Sequence, residues 1–158
     1  MFTFRYITAK QPYPMIRKEI TINQPVGKVW NALTQPEEMR NWYFNISNFE
    51  ATEGEIFDFI ISFTDEDGEH NFRHLFKIVD VVPLERLQHT WEHPGHSAGT
   101  SLLTWELSPK GESTTVVLTH EGVEHFLDEG SRYFTKASYN AGWTDILQGM
   151  KKYLEHEV

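Results

Sequence analysis

The stretch GEIFDFIISFTDEDGEHNFRHLFKIV, residues 54–79, decides the fold. In it Phe57, Phe59, Ile61 and Phe63 recur at every second position, so in an extended chain all four lie on one face. Asp65-Glu66-Asp67-Gly68 reads as a turn, and the returning run places Phe72, His74, Phe76 and Ile78 on one face again. Two such runs predict an antiparallel hairpin with one apolar side and one wetted side.

The same period continues toward the C-terminus. Pro83 ends the second run, a further strand carries Leu87, His89 and Trp91, and a polar loop follows from His93 to Gly99. Leu103, Trp105 and Leu107 mark the next inward face, Pro109 to Ser113 turns the chain, and Val116, Leu118 and His120 mark the last strand. After a loop around Gly122 to Gly130 the period changes to that of a helix, with Trp143, Ile146, Leu147, Met150 and Leu154 on one stripe and Lys151 and Lys152 suited to its C-terminal end. Toward the N-terminus, Ile16 to Ile22 suggests a first strand, with Asn23 as N-cap of a helix holding Pro25 in its first turn. Thr34 to Glu37 has a capping-box spacing that starts a second short helix ending near Trp42. The expected architecture is α+β: a curved antiparallel sheet of about six or seven strands, two short helices, and one long C-terminal helix across the concave face. Only that helix is long enough to cover several strands.

Composition narrows the function. The 158 residues suit one domain, expected over residues 16–157 behind an extension at residues 1–15. With 23 acidic against 14 basic residues and a net charge of -9, nucleic acid and anionic bilayers are poor partners. The absence of cysteine removes disulfides and thiolate chemistry. No apolar run reaches membrane length, so no membrane insertion is expected and the cytoplasm is the default location. No nucleophile elbow, phosphate loop or metal-ligand spacing is present, and neither a cofactor nor a metal is expected.

Particular wording carries a resemblance. Val29-Trp30-Asn31-Ala32-Leu33-Thr34, Pro36-Glu37 and Trp42, Val82-Pro83 with Leu87 and Trp91, Thr104-Trp105-Glu106-Leu107-Ser108-Pro109, Leu118-Thr119-His120, and Gly142-Trp143 with Tyr153-Leu154-Glu155 resemble the START-like, or SRPBCC, superfamily. The branch is the one named after the C-terminal domain of the activator of heat-shock-protein-90 ATPase. The resemblance runs from about Ile16 to Glu155 and implies the helix-grip fold. Its implied functions are binding of a small apolar or amphipathic molecule in an internal cavity, a cyclase- or hydrolase-like reaction using a cavity histidine, or contact with the chaperone.

If the helix does not fill the sheet's concavity, the candidate ligand-binding residues are Trp42, Phe57, Phe59, Phe63, Phe72, His74, Phe76, His89, Trp91, Trp105, His120, Tyr139, Trp143 and Met150. The buried histidines need partners such as Tyr139 or a backbone carbonyl, or else serve as polar anchors for a ligand. His93 and His96 sit in a turn with Pro94, Gly95 and Gly99 and are expected in solvent. Asp58, Glu92 and Glu106 fall on the outer face, which leaves no carboxylate pair for acid-base work. Gly142, inside the last helix, either lets helix and sheet approach closely or leaves a gap or hinge over the pocket mouth.

Overall fold

The computed structural model describes residues 15–46, 48–129 and 132–156. The expected extension falls, except for Met15, outside the described residues, as do Gly130 and the end of the expected domain at 157. Met15 itself opens the first strand.

The described residues form one antiparallel sheet of six strands in the order β1-β6-β5-β4-β3-β2. The strands are β1 (Met15–Ile22), β2 (Ile56–Asp65), β3 (Gly68–Val82), β4 (Arg86–Glu92), β5 (Thr100–Lys110) and β6 (Ser113–Glu121). The deciding hairpin pairs as read: Phe57 faces Phe76, Phe59 faces His74, Ile61 faces Phe72, and Asp65 closes the turn against Gly68. Gly68 takes φ +110, which side-chain-bearing residues rarely adopt. An irregularity between Ile78 and Asp80 in β3 shifts its pairing with β4, the kind of defect that bends a strand and lets a sheet curl.

Between β1 and β2 lie α1 (Val26–Thr34) and α2 (Pro36–Trp42), and α3 (Lys136–Glu155) runs across the sheet's concave face. The core between them holds Leu103, Trp105, Leu107, Val116 and Leu118 from the sheet and Trp143, Leu147, Met150 and Leu154 from α3. Two short 3-10 helices, Val123–Glu129 and Arg132–Phe134, lead into α3, where a plain loop was expected. They bury Val123, Phe126 and Phe134 under one end of the sheet.

Three local expectations are corrected. The N-cap of α1 is Pro25, not Asn23, whose side chain instead accepts a hydrogen bond from Ser113 at 3.0 Å. The capping box before α2 does not form, because the Thr34 hydroxyl donates back to the Trp30 carbonyl at 2.7 Å. Pro36 opens α2, where its missing N–H needs no cap. The turn expected at Pro109 to Ser113 is tighter, since β5 continues to Lys110, which pairs with Ser113.

Candidate functional site: an aromatic cavity beneath the long helix

The two halves of α3 present different side chains to the sheet. Its C-terminal half carries Leu147, Met150 and Leu154, all buried, and packs against α1, α2 and β1. The N-terminal half turns Tyr139 and Trp143 toward the sheet and carries the small, exposed Ser138 and Gly142 one turn apart beside them. A cavity of about 220 Å³ lies at that end. Strand residues Ile61, Phe63, Phe72, His74 and Trp91 line it together with Phe44, His93, Tyr133, Phe134, Ser138, Tyr139, Gly142, Trp143 and Ile146. Its rim includes exposed residues, Phe63, Ser138 and Gly142.

Of the candidate residues, Phe63, Phe72, His74, Trp91, Tyr139 and Trp143 come together on this cavity. The others do not line it. Phe57, Phe59 and Phe76 form a ring cluster nearer the far end of the β2–β3 hairpin, with His89 on Phe76 at 4.4 Å between centroids. Trp42 packs edge-on against Trp105 at 6.2 Å and donates its indole N–H to the Ala32 carbonyl at 2.9 Å. Met150 is fully buried in the packed half of α3.

His93 corrects the expectation of a solvated turn: it is 0 % exposed. Its ring stacks on Phe134 at 3.8 Å, and its Nε2 meets the Tyr139 hydroxyl. The inward alternation of β4, His89 then Trp91, runs one step beyond the strand and delivers His93 to the cavity. Of that loop's two histidines, His96 is the exposed one. Of the two readings of Gly142, close packing is the one that fails. A Cβ built there meets nothing within 4 Å, so the glycine does not serve close packing and instead leaves space at the cavity's edge.

Hydrogen bonding fixes the state of these rings. Trp91 donates its indole N–H to Tyr139 Oη at 3.2 Å, and Tyr139 can then donate to His93 Nε2. Behind the cavity wall, Trp143 donates to His120 Nδ1 at 2.9 Å. His120 Nε2–H therefore donates to Ser101 Oγ at 2.7 Å, and Ser101 donates to the Trp91 carbonyl at 3.0 Å. His120 is thus a fully satisfied neutral imidazole outside the cavity, with no nitrogen left for a ligand. His89 gives its Nδ1–H to the Thr90 carbonyl and His74 gives its own to the Phe72 carbonyl.

Burial disfavours the charged form of all these groups. It lowers His74 to about 4, with His96 nearby adding to the effect and the Phe72 carbonyl opposing it. His89 falls to about 4, again chiefly through burial. Burial takes His93 to about 3, helped by His74, His120 and His96 and opposed by the Arg73 backbone, although Nδ1 makes no hydrogen bond of good geometry. Burial takes His120 to about 3, with His89 a smaller contributor. Tyr139 is pushed above its ordinary value by burial. The walls are therefore aromatic and uncharged at neutral pH. Among the described residues no Lys, Arg, Asp or Glu lines the cavity, and no three His, Asp or Glu converge as a metal site.

At the rim, Asp65 clasps two residues. Tyr133 donates to Oδ2 at 2.6 Å, and His70 Nε2 lies 2.9 Å from Oδ1. The tip of the β2–β3 hairpin is so tied to the 3-10 turn before α3.

A family model described as "Activator of Hsp90 ATPase homolog 1-like protein" matches residues 23–155. Among solved structures, MLL2253 from Mesorhizobium loti is 20% identical over 92% of this chain and 99% of that one, with a TM-score of 0.70. The Aha1 dimer from Colwellia psychrerythraea is 22% identical over 90% of this chain and 96% of that one, with a TM-score of 0.62. DynU16, from the dynemicin biosynthetic locus, is 24% identical over 91% of this chain with a TM-score of 0.69, and this chain spans only 48% of DynU16. At such identities the likeness is one of fold. No curated protein matches the sequence.

Proposed function

The chain belongs to the activator of Hsp90 ATPase homolog 1-like family, and from that premise we propose that it is a non-enzymatic cytoplasmic module that binds a small apolar or amphipathic molecule between α3 and the sheet. The observation that carries the proposal is the cavity of about 220 Å³ walled by Phe63, Phe72, Trp91, Tyr133, Phe134 and Trp143. A dry apolar void of about 150 Å³ is known to admit benzene, so this one suits a molecule of one or two rings. At about -0.5 kcal/mol per heavy atom, a ligand of about 12 atoms gains about -6 kcal/mol, a Kd of about 40 μM. The absence of a carboxylate among the described wall residues and the low basicity of His74 favour binding over proton transfer.

Indole at about ten times that Kd should stabilise the fold by about 1.4 kcal/mol and raise Tm by about 3–6 °C. It should also alter the emission of Trp91 and Trp143, which wall the cavity. A melting curve and a tryptophan spectrum both indifferent to indole and to other one- and two-ring compounds would defeat the proposal. Chaperone contact, which the family's description suggests, would have to use the outer surface of this acidic chain. Retention of the chaperone on immobilised protein at low and moderate salt tests that second reading, and retention at neither removes it.

A further inference from the structure

The cavity's polar atoms are nearly all engaged. The Trp91 indole N–H goes to Tyr139 and that of Trp143 goes to His120. Tyr139 Oη is shared between Trp91 and His93, and Tyr133 Oη donates to Asp65. His74 differs. Whichever ring nitrogen faces the Phe72 carbonyl must carry the proton, because a carbonyl only accepts, so the other nitrogen, Nε2, is a bare lone pair. It has no hydrogen-bond partner among the described residues. Nor does it belong to the fully enclosed orphan atoms, which are Tyr43 Oη, His93 Nδ1 and Glu124 Oε1. The side chain is otherwise covered by the stacked Phe59 ring at 4.9 Å and the edges of Trp91 and His93. The cavity is the opening through which that lone pair is reached.

Resting on the reading of this cavity as a ligand site, we propose that its ligand is an uncharged planar aromatic of one or two rings with a phenol-like hydroxyl that donates a hydrogen bond to His74 Nε2. Three observations select this class. The walls are rings, which favour a flat partner at stacking or edge distance. No cation among the described residues lines the cavity, so a carboxylate or phosphate there would lack a described partner. Among the described wall residues inside the rim, the vacant ring atom that is not fully enclosed is an acceptor, His74 Nε2, so the ligand must supply the donor. The Ser138 hydroxyl stands at the exposed rim and leaves room for a second polar substituent pointing outward.

The test compares 2-naphthol, 2-methoxynaphthalene, naphthalene and 2-naphthoate by tryptophan fluorescence titration at pH 7.5. A neutral hydrogen bond should make 2-naphthol bind about 3–10-fold more tightly than the methoxy ether. The anionic 2-naphthoate should bind more weakly than naphthalene. His74→Phe should remove the preference for the hydroxyl while leaving naphthalene bound. On the wild-type chain, whatever the fate of that variant, the His74 Nε2 nitrogen resonance should move with 2-naphthol and stay with the ether. Equal affinity for hydroxyl and ether, or naphthoate binding as tightly as naphthol, overturns the donor assignment while the cavity remains a ligand site. Failure of all the neutral bicyclic compounds to bind overturns both.

Discussion

Mild acid should unfold this protein well before its carboxylates protonate. His74, His89, His93 and His120 lie in the fold at about 4, 4, 3 and 3, against about 6.5 in an unfolded chain. Each folded-state value is depressed, so each contributes its full share above about pH 6.5 and loses it as pH falls toward the folded value. Between those limits the unfolded chain binds protons that the fold refuses. At pH 5 one such imidazole costs about 2 kcal/mol, against very little at pH 7. Four together remove about 7 kcal/mol, as much as the whole stability of many domains, about 5–15 kcal/mol. Near pH 5.5 the slope approaches about 5 kcal/mol per pH unit. Residual structure around the imidazoles in the unfolded chain trims that figure. So does relief of self-repulsion as the net charge of -9 is neutralised. Urea unfolding at pH 7.5, 6.5, 5.5 and 5.0 measures the slope directly. His120→Gln should reduce it by about 1.4 kcal/mol per unit, one proton's worth. A stability flat between pH 7 and 5, or Hε1 resonances of His74, His89, His93 and His120 titrating near pH 6.5 in the folded protein, would refute the account of buried neutral imidazoles.

Replacing Gly142 by Ala should raise stability by about 0.5–1 kcal/mol, since the new methyl meets open space in an exposed helical position. A fall in Tm would show that the glycine serves the backbone instead. Gly99→Ala should be costly, about 1–3 kcal/mol, because its Cβ would stand 2.6 Å from the His125 carbonyl oxygen; wild-type urea unfolding would mean that the loop yields freely. Asp65→Asn should loosen the clasp on Tyr133 and His70, seen as faster amide exchange across residues 132–134. Those hydrogen bonds hold the Asp65 carboxyl below its usual range, with Tyr133 the largest cause. Its contribution is thus complete above about pH 4 and fades below, and the Tm difference between the two proteins should narrow only there.

The sheet was readable because alternation is a local consequence of extended backbone. Phe57 to Phe63 and Phe72 to Ile78 assign faces without knowledge of any partner strand, and the paired register agrees with them. The helix starts were less readable because capping is a competition between nearby acceptors and donors. Asn23 and Thr34 have capping chemistry, but Ser113, ninety residues on, engages the first, and the Trp30 carbonyl engages the second. Spacing alone does not reveal which partner wins.

The rings that face the cavity were readable as part of a strand face, whereas the cavity's extent was not, because a strand face is longer than a cavity. Period two put Phe57, Phe59, Phe76, His89 and Trp105 on the same side as Phe63, Phe72 and Trp91, but where the void ends depends on the helix lying across them. That helix carried the missing signal: bulky Leu147, Met150 and Leu154 fill its second half, whereas Ser138 and Gly142 in the first half are small residues at the cavity's rim. His93 follows from the same logic. It belongs with His89 and Trp91 by alternation, and Pro94 and Gly95 break the chain only after its ring has turned inward. Once inside, it requires Tyr139 at the opposite wall, and Tyr139 requires Trp91, so that small residues on α3 create the space while larger ones keep its polar atoms occupied. His93 Nδ1 stays unpaired but enclosed, whereas His74 Nε2 is unpaired and not enclosed. Among the described walls inside the rim, that open acceptor is where ligands of similar shape are told apart, by the donor they bring to it.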